Sequence, residues 1–156
     1  MATPQMLAQD VFSYLRPEQI NAIHKASDVV ERRAGAVVYT QGEKGKYLYV
    51  VLDGQVALRL PGKIGVSVLI ESLGRGAICG AGASFEPGTY TLTAQCVSDC
   101  KFLRIDTAVW NRLMEEDSRM GYALQKRISD LYFKRYVDTM RTLQAVVMSL
   151  PLEPQV

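Results

Sequence analysis

From residue 74 the chain reads Gly74-Arg75-Gly76-Ala77-Ile78-Cys79-Gly80-Ala81-Gly82-Ala83-Ser84, and a few residues later Tyr90-Thr91-Leu92-Thr93-Ala94. Between positions 80 and 84 no side chain is larger than a hydroxymethyl group. Such a run leaves backbone N–H donors open and closely spaced, an arrangement that cradles an anion or a carboxylate. Tyr90 adds a ring that can stack and a phenol that can donate, and Thr91 adds a hydroxyl. Gly80, Ala81, Gly82, Ala83, Ser84, Tyr90 and Thr91 are therefore the candidate ligand-binding residues. A bland alternative stands beside each part of this reading: a tight strand-to-helix connection for the small-residue run, and for Tyr90 a ring that simply fills the space. The nearest charges, Arg75 and Glu86, are of the kind that loops usually leave solvated.

Little else in the chain suggests chemistry. Cys79, Cys96 and Cys100 form no CxxC pair and read as small buried thiols. His24 is the only histidine, so no multi-histidine metal site can be built. A jelly-roll enzyme would need clustered metal ligands or a nucleophile and base side by side, and the scattered carboxylates supply neither. No catalytic residue, metal or cofactor is expected. Eighteen Lys and Arg against sixteen Asp and Glu leave a net charge of only +2, too small to draw the whole molecule to nucleic acid or membrane. The first ten residues lack a basic stretch followed by an apolar run, which argues against a signal peptide. The nearly uncharged stretch 76–98 is too rich in Gly and Thr for a membrane helix. A cytoplasmic location is expected.

The elements that would position these residues follow from periodicity. Residues 5–26 read as two helical pieces, the second starting with Pro17 at its first position. Short β-branched and aromatic runs then occupy 36–39, 47–52, 55–60, 66–73, 89–97 and 101–105. Asp53-Gly54 reads as a hairpin turn and Pro61-Gly62 as another reversal. Many short strands at regular spacing imply a sandwich or small antiparallel barrel of jelly-roll type. A helix at 107–117, capped by Asp106 or Thr107, precedes a second over 118–149 whose apolar residues step by three and four. Its 32 residues would run about 48 Å at 1.5 Å per residue, beyond the width of a single domain spanning residues 1–156. Within it 1–27 would be N-terminal helices, 28–106 a β-roll and 107–150 C-terminal helices.

Nearly the whole chain, from about Phe12 to Ser149, resembles the cyclic-nucleotide-binding domain family. The matching residues are Arg33-Ala34-Gly35-Ala36-Val37-Val38-Tyr39, Gln41-Gly42-Glu43, Tyr47-Leu48-Tyr49-Val50-Val51-Leu52-Asp53-Gly54-Gln55-Val56, Gly74-x-Gly76 and Cys100-Lys101-Phe102-Leu103-Arg104-Ile105-Asp106. The resemblance implies a mostly β fold with flanking helices, a jelly roll or double-stranded β-helix of cyclic-nucleotide-binding type with N-terminal helices and a long C-terminal helix. It also implies a cassette in which a Glu holds the ribose hydroxyl and an Arg pairs the cyclic phosphate. The positions that align here are Cys79-Gly80-Ala81 and Tyr90-Thr91, so Ala81 stands for the Glu and Tyr90 for the Arg. Each lost charge-assisted bond removes about 1.5–3 kcal/mol, or one to two decades of affinity.

The expected function is thus a non-enzymatic regulatory domain that does not take cyclic AMP or cyclic GMP in the usual way. Alternatives are a ligand-free interaction or dimerisation module, or a site for a non-standard nucleotide or other small ligand. The resemblance also implies a homodimer through the long helix, whose middle would cover the pocket. Leu131, Tyr136, Met140, Leu143 and Val147 are the candidate interface, and the apolar stripe supports such pairing independently. The family's transcription factors carry a helix-turn-helix domain after this helix and this sequence ends there, so no nucleic-acid partner is expected.

Overall fold

Apolar side chains on both faces of a strand require cover on both sides, and the segment Tyr47–Asp53 reads almost continuously apolar. In the computed structural model, which describes residues 12, 15–85, 88–151 and 153–154, this segment lies between two cores. Leu48, Val50 and Leu52 join a core shared with the helices. Tyr49 and Val51 face the other way, into the space between two sheets.

The order of elements is α1 (Pro17–Lys25), β1 (Ser27–Arg32), β2 (Val37–Tyr39), β3 (Tyr47–Asp53), β4 (Val56–Pro61), β5 (Ser67–Leu73), β6 (Ile78–Cys79), a 3-10 turn (Ala81–Ser84), β7 (Thr93–Cys96), β8 (Cys100–Asp106), α2 (Thr107–Glu116) and α3 (Ser118–Ser149). The strands form two four-stranded antiparallel sheets, β1-β8-β3-β6 and β2-β7-β4-β5, in a jelly roll. Leu103 of β8 sits opposite both Val29 and Val50, and Leu58 of β4 sits opposite Ala94 and Glu71.

Several expectations need correction. Asp53-Gly54 does not close a hairpin, because β3 and β4 belong to different sheets. The turn is a corner between them. Gly54 has φ 95°, and a Cβ there would strike Asp99 and Cys100 across the corner. Pro61-Gly62 does begin a hairpin, with Pro61 opposite Ser67 and the Gly62 N–H donating to Val66 O. The run 89–97 contracts to Thr93–Cys96, and Thr89 makes only an isolated bridge to Lys44. Two strands were missed: Ser27–Arg32, whose charges obscure its alternation, and the two-residue Ile78–Cys79. Pro17 opens α1 as expected, while most of the preceding helical expectation lies outside the described residues.

Caps hold the helices in place. Asp106 accepts from the Ala108 N–H at 2.8 Å and the Val109 N–H at 3.3 Å to start α2. Asp117 accepts from the Met120 N–H at 3.1 Å to start α3, and its other oxygen accepts from buried Gln19 of α1 at 2.9 Å. The Gln19 bond, then that of Met120, holds the Asp117 carboxyl below the usual range. α3 is one continuous helix. Its first turns bury Met120, Gly121, Leu124 and Ile128 against the core, and from Asp138 onward every residue is exposed.

Candidate ligand-binding site

β6 delivers the chain to Gly80, whose φ of 78° only a residue without a Cβ adopts comfortably. A Cβ there would also lie 3.2 Å from the Tyr90 ring, 3.3 Å from the Tyr39 ring and 3.2 Å from Tyr47 O. Glycine therefore lets two aromatic rings close over the turn. The 3-10 turn that follows is held by Ala83 N–H donating to Gly80 O at 3.1 Å and Phe85 N–H donating to Gly82 O at 3.2 Å.

Tyr90 is buried under this turn. Its hydroxyl donates to Tyr47 O at 2.6 Å and accepts from Tyr47 N–H at 3.2 Å. Its ring stacks on Tyr39 with centroids 4.0 Å apart and planes 15° from parallel. Both ends of the side chain are thus engaged within the protein.

The roof comes from α3. The Tyr132 hydroxyl accepts from Gly82 N–H at 2.8 Å, so the amide that the small-residue turn presents is already paired. One helical turn on, Arg135 Nε donates to Glu71 Oε2 of β5 at 2.8 Å, and its guanidinium lies 5.0 Å from the centre of the Tyr132 ring. Ile128 and Leu131 complete the lid. The enclosed space measures about 20 Å³. That is room for one water and far from room for a nucleotide.

The cavity wall is electrically quiet apart from Arg135. Burial pushes the Cys79 thiol up to about 12 and raises the phenols of Tyr39, Tyr90 and Tyr132, so all four stay protonated near neutral pH. Arg135 is the one charged residue lining the cavity among the described residues, and its field opposes the upward shift of Tyr39, Cys79 and Tyr132.

Of the seven candidate residues, Gly80, Ala81, Gly82, Tyr90 and Thr91 border the cavity. Ala83 instead packs into the core between the sheets, and the Ser84 hydroxyl turns back to donate to Ala81 O at 2.7 Å. Arg75 is exposed and away from the cavity, and Glu86 lies outside the described residues. Tyr39, Tyr132 and Arg135 were not among the candidates. In the sequence Tyr132 is one more apolar residue of the stripe on 118–149, and Arg135 one of several basic residues on the same helix. A Tyr and an Arg three residues apart on the helix expected to cover the pocket was the available signal. Of the candidate interface residues, Leu131 lies at the lid, and Tyr136, Met140, Leu143 and Val147 lie exposed further along α3. The three cysteines are free and buried. Among the described residues no group of His, Cys, Asp and Glu could hold a metal, and no helix is long and apolar enough to cross a membrane.

The family model for the cyclic nucleotide-binding domain matches residues 29–117. The chain belongs to this family. As a cyclic nucleotide-binding domain its matched segment runs from within β1 to Asp117, the cap of α3, so Tyr132 and Arg135 lie beyond the match. The chain is 26% identical over 96 residues to the CRP-like cAMP-activated global transcriptional regulator of Mycobacterium tuberculosis, a match covering 62% of this chain and 43% of that protein. It therefore spans less than half the length of this curated relative. In structure it is similar to the Catabolite Activator Protein of Thermus thermophilus, with a TM-score of 0.74 at 21% identity over 92% of this chain and 63% of the other. The sensor domain of the transcriptional regulator DNR from Pseudomonas aeruginosa gives a TM-score of 0.70 at 20% identity over 97% and 95% of the two chains. At such identities these likenesses concern the fold of the domain.

Proposed function

We propose that this cyclic nucleotide-binding domain is a cytoplasmic, non-enzymatic regulatory module that does not bind cyclic AMP or cyclic GMP in the family's usual manner. The observation that carries this reading is the state of Tyr90. Where the family resemblance implies an Arg for the phosphate, a buried phenol is tied to Tyr47 and stacked on Tyr39. Ala81, at the position of the sugar-binding Glu, offers a methyl group that is 1% exposed. Two missing charge-assisted contacts at about 1.5–3 kcal/mol each weaken the usual mode by roughly two to four decades.

Pairing with a second copy through α3 belongs to the same proposal, with Leu131, Tyr136, Met140, Leu143 and Val147 as the shared face. Its support is the exposure of those side chains on a helix that extends beyond the strands. The small cavity favours a second reading, in which the pocket stays closed and the dimer presents its surface to another protein.

Titration calorimetry with cyclic AMP and cyclic GMP at near-physiological salt tests the first statement. No binding at micromolar or better affinity is expected for either nucleotide. Sub-micromolar binding would show that backbone donors or other charges replace the missing pair, and the proposal would fall.

A further inference from the structure

Tyr132 and Arg135 do two things at once. Tyr132 occupies the Gly82 amide, and Arg135 is held by Glu71 of β5 at 2.8 Å with its side chain only 19% exposed. Both are contacts of a closed lid. Each also engages a group suited to an anion: a backbone N–H and one N–H of a guanidinium.

The space on either side of Tyr132 is instructive. Its ring borders the small cavity and also two hollows of about 260 and 390 Å³. One hollow is walled by Phe85 and Ile128, the other by Leu60, Ile70, Leu92 and Tyr136. Thr91 borders all three spaces as well. The Tyr132 ring is therefore the partition between them. Both hollows are open to solvent, and swinging the ring aside opens the cavity toward them, giving room on the scale of a small-ligand site, about 300–1,000 Å³. Among the described residues the walls of that joined space are largely apolar, with Thr and Ser hydroxyls between, and Arg135 is the one charge at its edge.

We infer that Arg135 is the specificity-determining residue of a site for a small organic anion: an apolar or aromatic body that displaces the Tyr132 ring, carrying one acidic group that takes Arg135 from Glu71 and Gly82 N–H from Tyr132. This rests on the proposed function, because it names what a pocket without the usual charged pair would accept. Glu71 and the Tyr132 hydroxyl then act as internal stand-ins for the ligand's acidic group. They keep the donors paired while the site is closed, which avoids leaving half-buried polar groups unsatisfied. Ligand entry exchanges one set of partners for another, and α3 moves because two of its side chains change hands.

The test uses the whole chain and two fluorescent probes of similar shape, 8-anilinonaphthalene-1-sulfonate, which is anionic, and N-phenyl-1-naphthylamine, which is neutral. Arg135→Ala is expected to weaken the sulfonate about tenfold, as loss of one charge-assisted contact does, and Glu71→Gln to tighten it several-fold by releasing the guanidinium. The neutral probe should respond equally to both substitutions, since each removes the same lid contact, and the Gly82 amide resonance should shift when the sulfonate binds. Arg135→Lys should restore part of the lost affinity.

An ion pair that only fastened the helix predicts the opposite pattern. Both single substitutions would then loosen the lid and move both probes in the same direction. That result, or sulfonate binding that leaves the Gly82 amide unmoved, overturns the inference. Tight cyclic AMP binding that survives Arg135→Ala overturns the function proposed above instead, since such a mode would need no help from this residue.

Discussion

The substitution Leu143→Asp should convert the protein from dimer to monomer without unfolding the strands. Tyr136, Met140, Leu143 and Val147 keep 57%, 40%, 51% and 42% of their surfaces in water, and Leu131 and Leu150 keep 41% and 49%. Fully burying such a side chain is worth about 1.5–3 kcal/mol, so covering the remaining half contributes roughly 1 kcal/mol. Six side chains on each of two copies give about 12 kcal/mol. Subtracting an association cost of about 4 kcal/mol, the low end of its range, leaves about 8 kcal/mol, which corresponds to a micromolar dissociation constant. A symmetric parallel pairing places residue 143 of one copy near its twin, so an Asp there loses about 1 kcal/mol of burial per copy and adds two carboxylates to a dry seam. A total loss of about 4 kcal/mol or more raises the dissociation constant at least a thousandfold. Sedimentation velocity from 1 to 100 µM, with circular dichroism as the control for folding, reads the outcome. A monomeric parent, or a variant that remains dimeric, would remove α3 from the interface and refute the reasoning.

Tyr90→Phe should lower stability by about 1–3 kcal/mol, because the Tyr47 carbonyl loses its short bond, and thermal melting should drop by about 2–4 °C for each of those kcal/mol; an unchanged melting point would mean that stacking on Tyr39 alone holds the ring. Restoring the family's charges with Ala81→Glu and Tyr90→Arg should raise cyclic AMP affinity less than the same pair combined with Tyr132→Ala, since the lid excludes a nucleotide as firmly as the missing charges do. Equal affinities in calorimetry would show that only charge was lacking. Stability should also fall at alkaline pH. Burial raises Cys79 from 9.0 to about 12 and Tyr49 from 10.0 to about 12, so the folded state keeps protons that the unfolded state releases. This contribution is fully present below about pH 9 and is lost as pH climbs towards 12. Urea midpoints measured from pH 7 to 11 should decline beyond pH 9, and a flat profile would contradict the burial of these groups.

The sequence carried the fold further than it carried the site. Strands such as β3 and β8 were legible because burial on one or both faces writes itself as apolar runs, and Asp106 and Pro17 marked helix starts by their capping chemistry. β1 escaped because Asp28, Glu31 and Arg32 interrupt its pattern, and β6 because two residues are too few to show any period. The corner at Gly54 looked like a hairpin since a positive φ serves both, and local sequence does not say which strand lies alongside. At the site, the small-residue turn and Tyr90 were visible as types at a spacing. The partners were not. Tyr47, Tyr39 and Glu71 reach the cavity region only through folding, and Arg135 is set apart from the other basic residues of its helix by its ion pair with Glu71 of β5.

The division of the interior into two cores gives the molecule two separate optical reporters. The single tryptophan, Trp110, is fully buried on the side shared with α1, α2 and α3, whereas Tyr39, Tyr49 and Tyr90 lie between the sheets. Indole emission therefore follows the packing of the helices, and phenolate absorbance on raising the pH follows the closure of the sheets. Loss of the jelly roll would register in both, whereas a lid movement confined to α3 would register in the phenols chiefly through Tyr132, whose hydroxyl it would release from the Gly82 N–H.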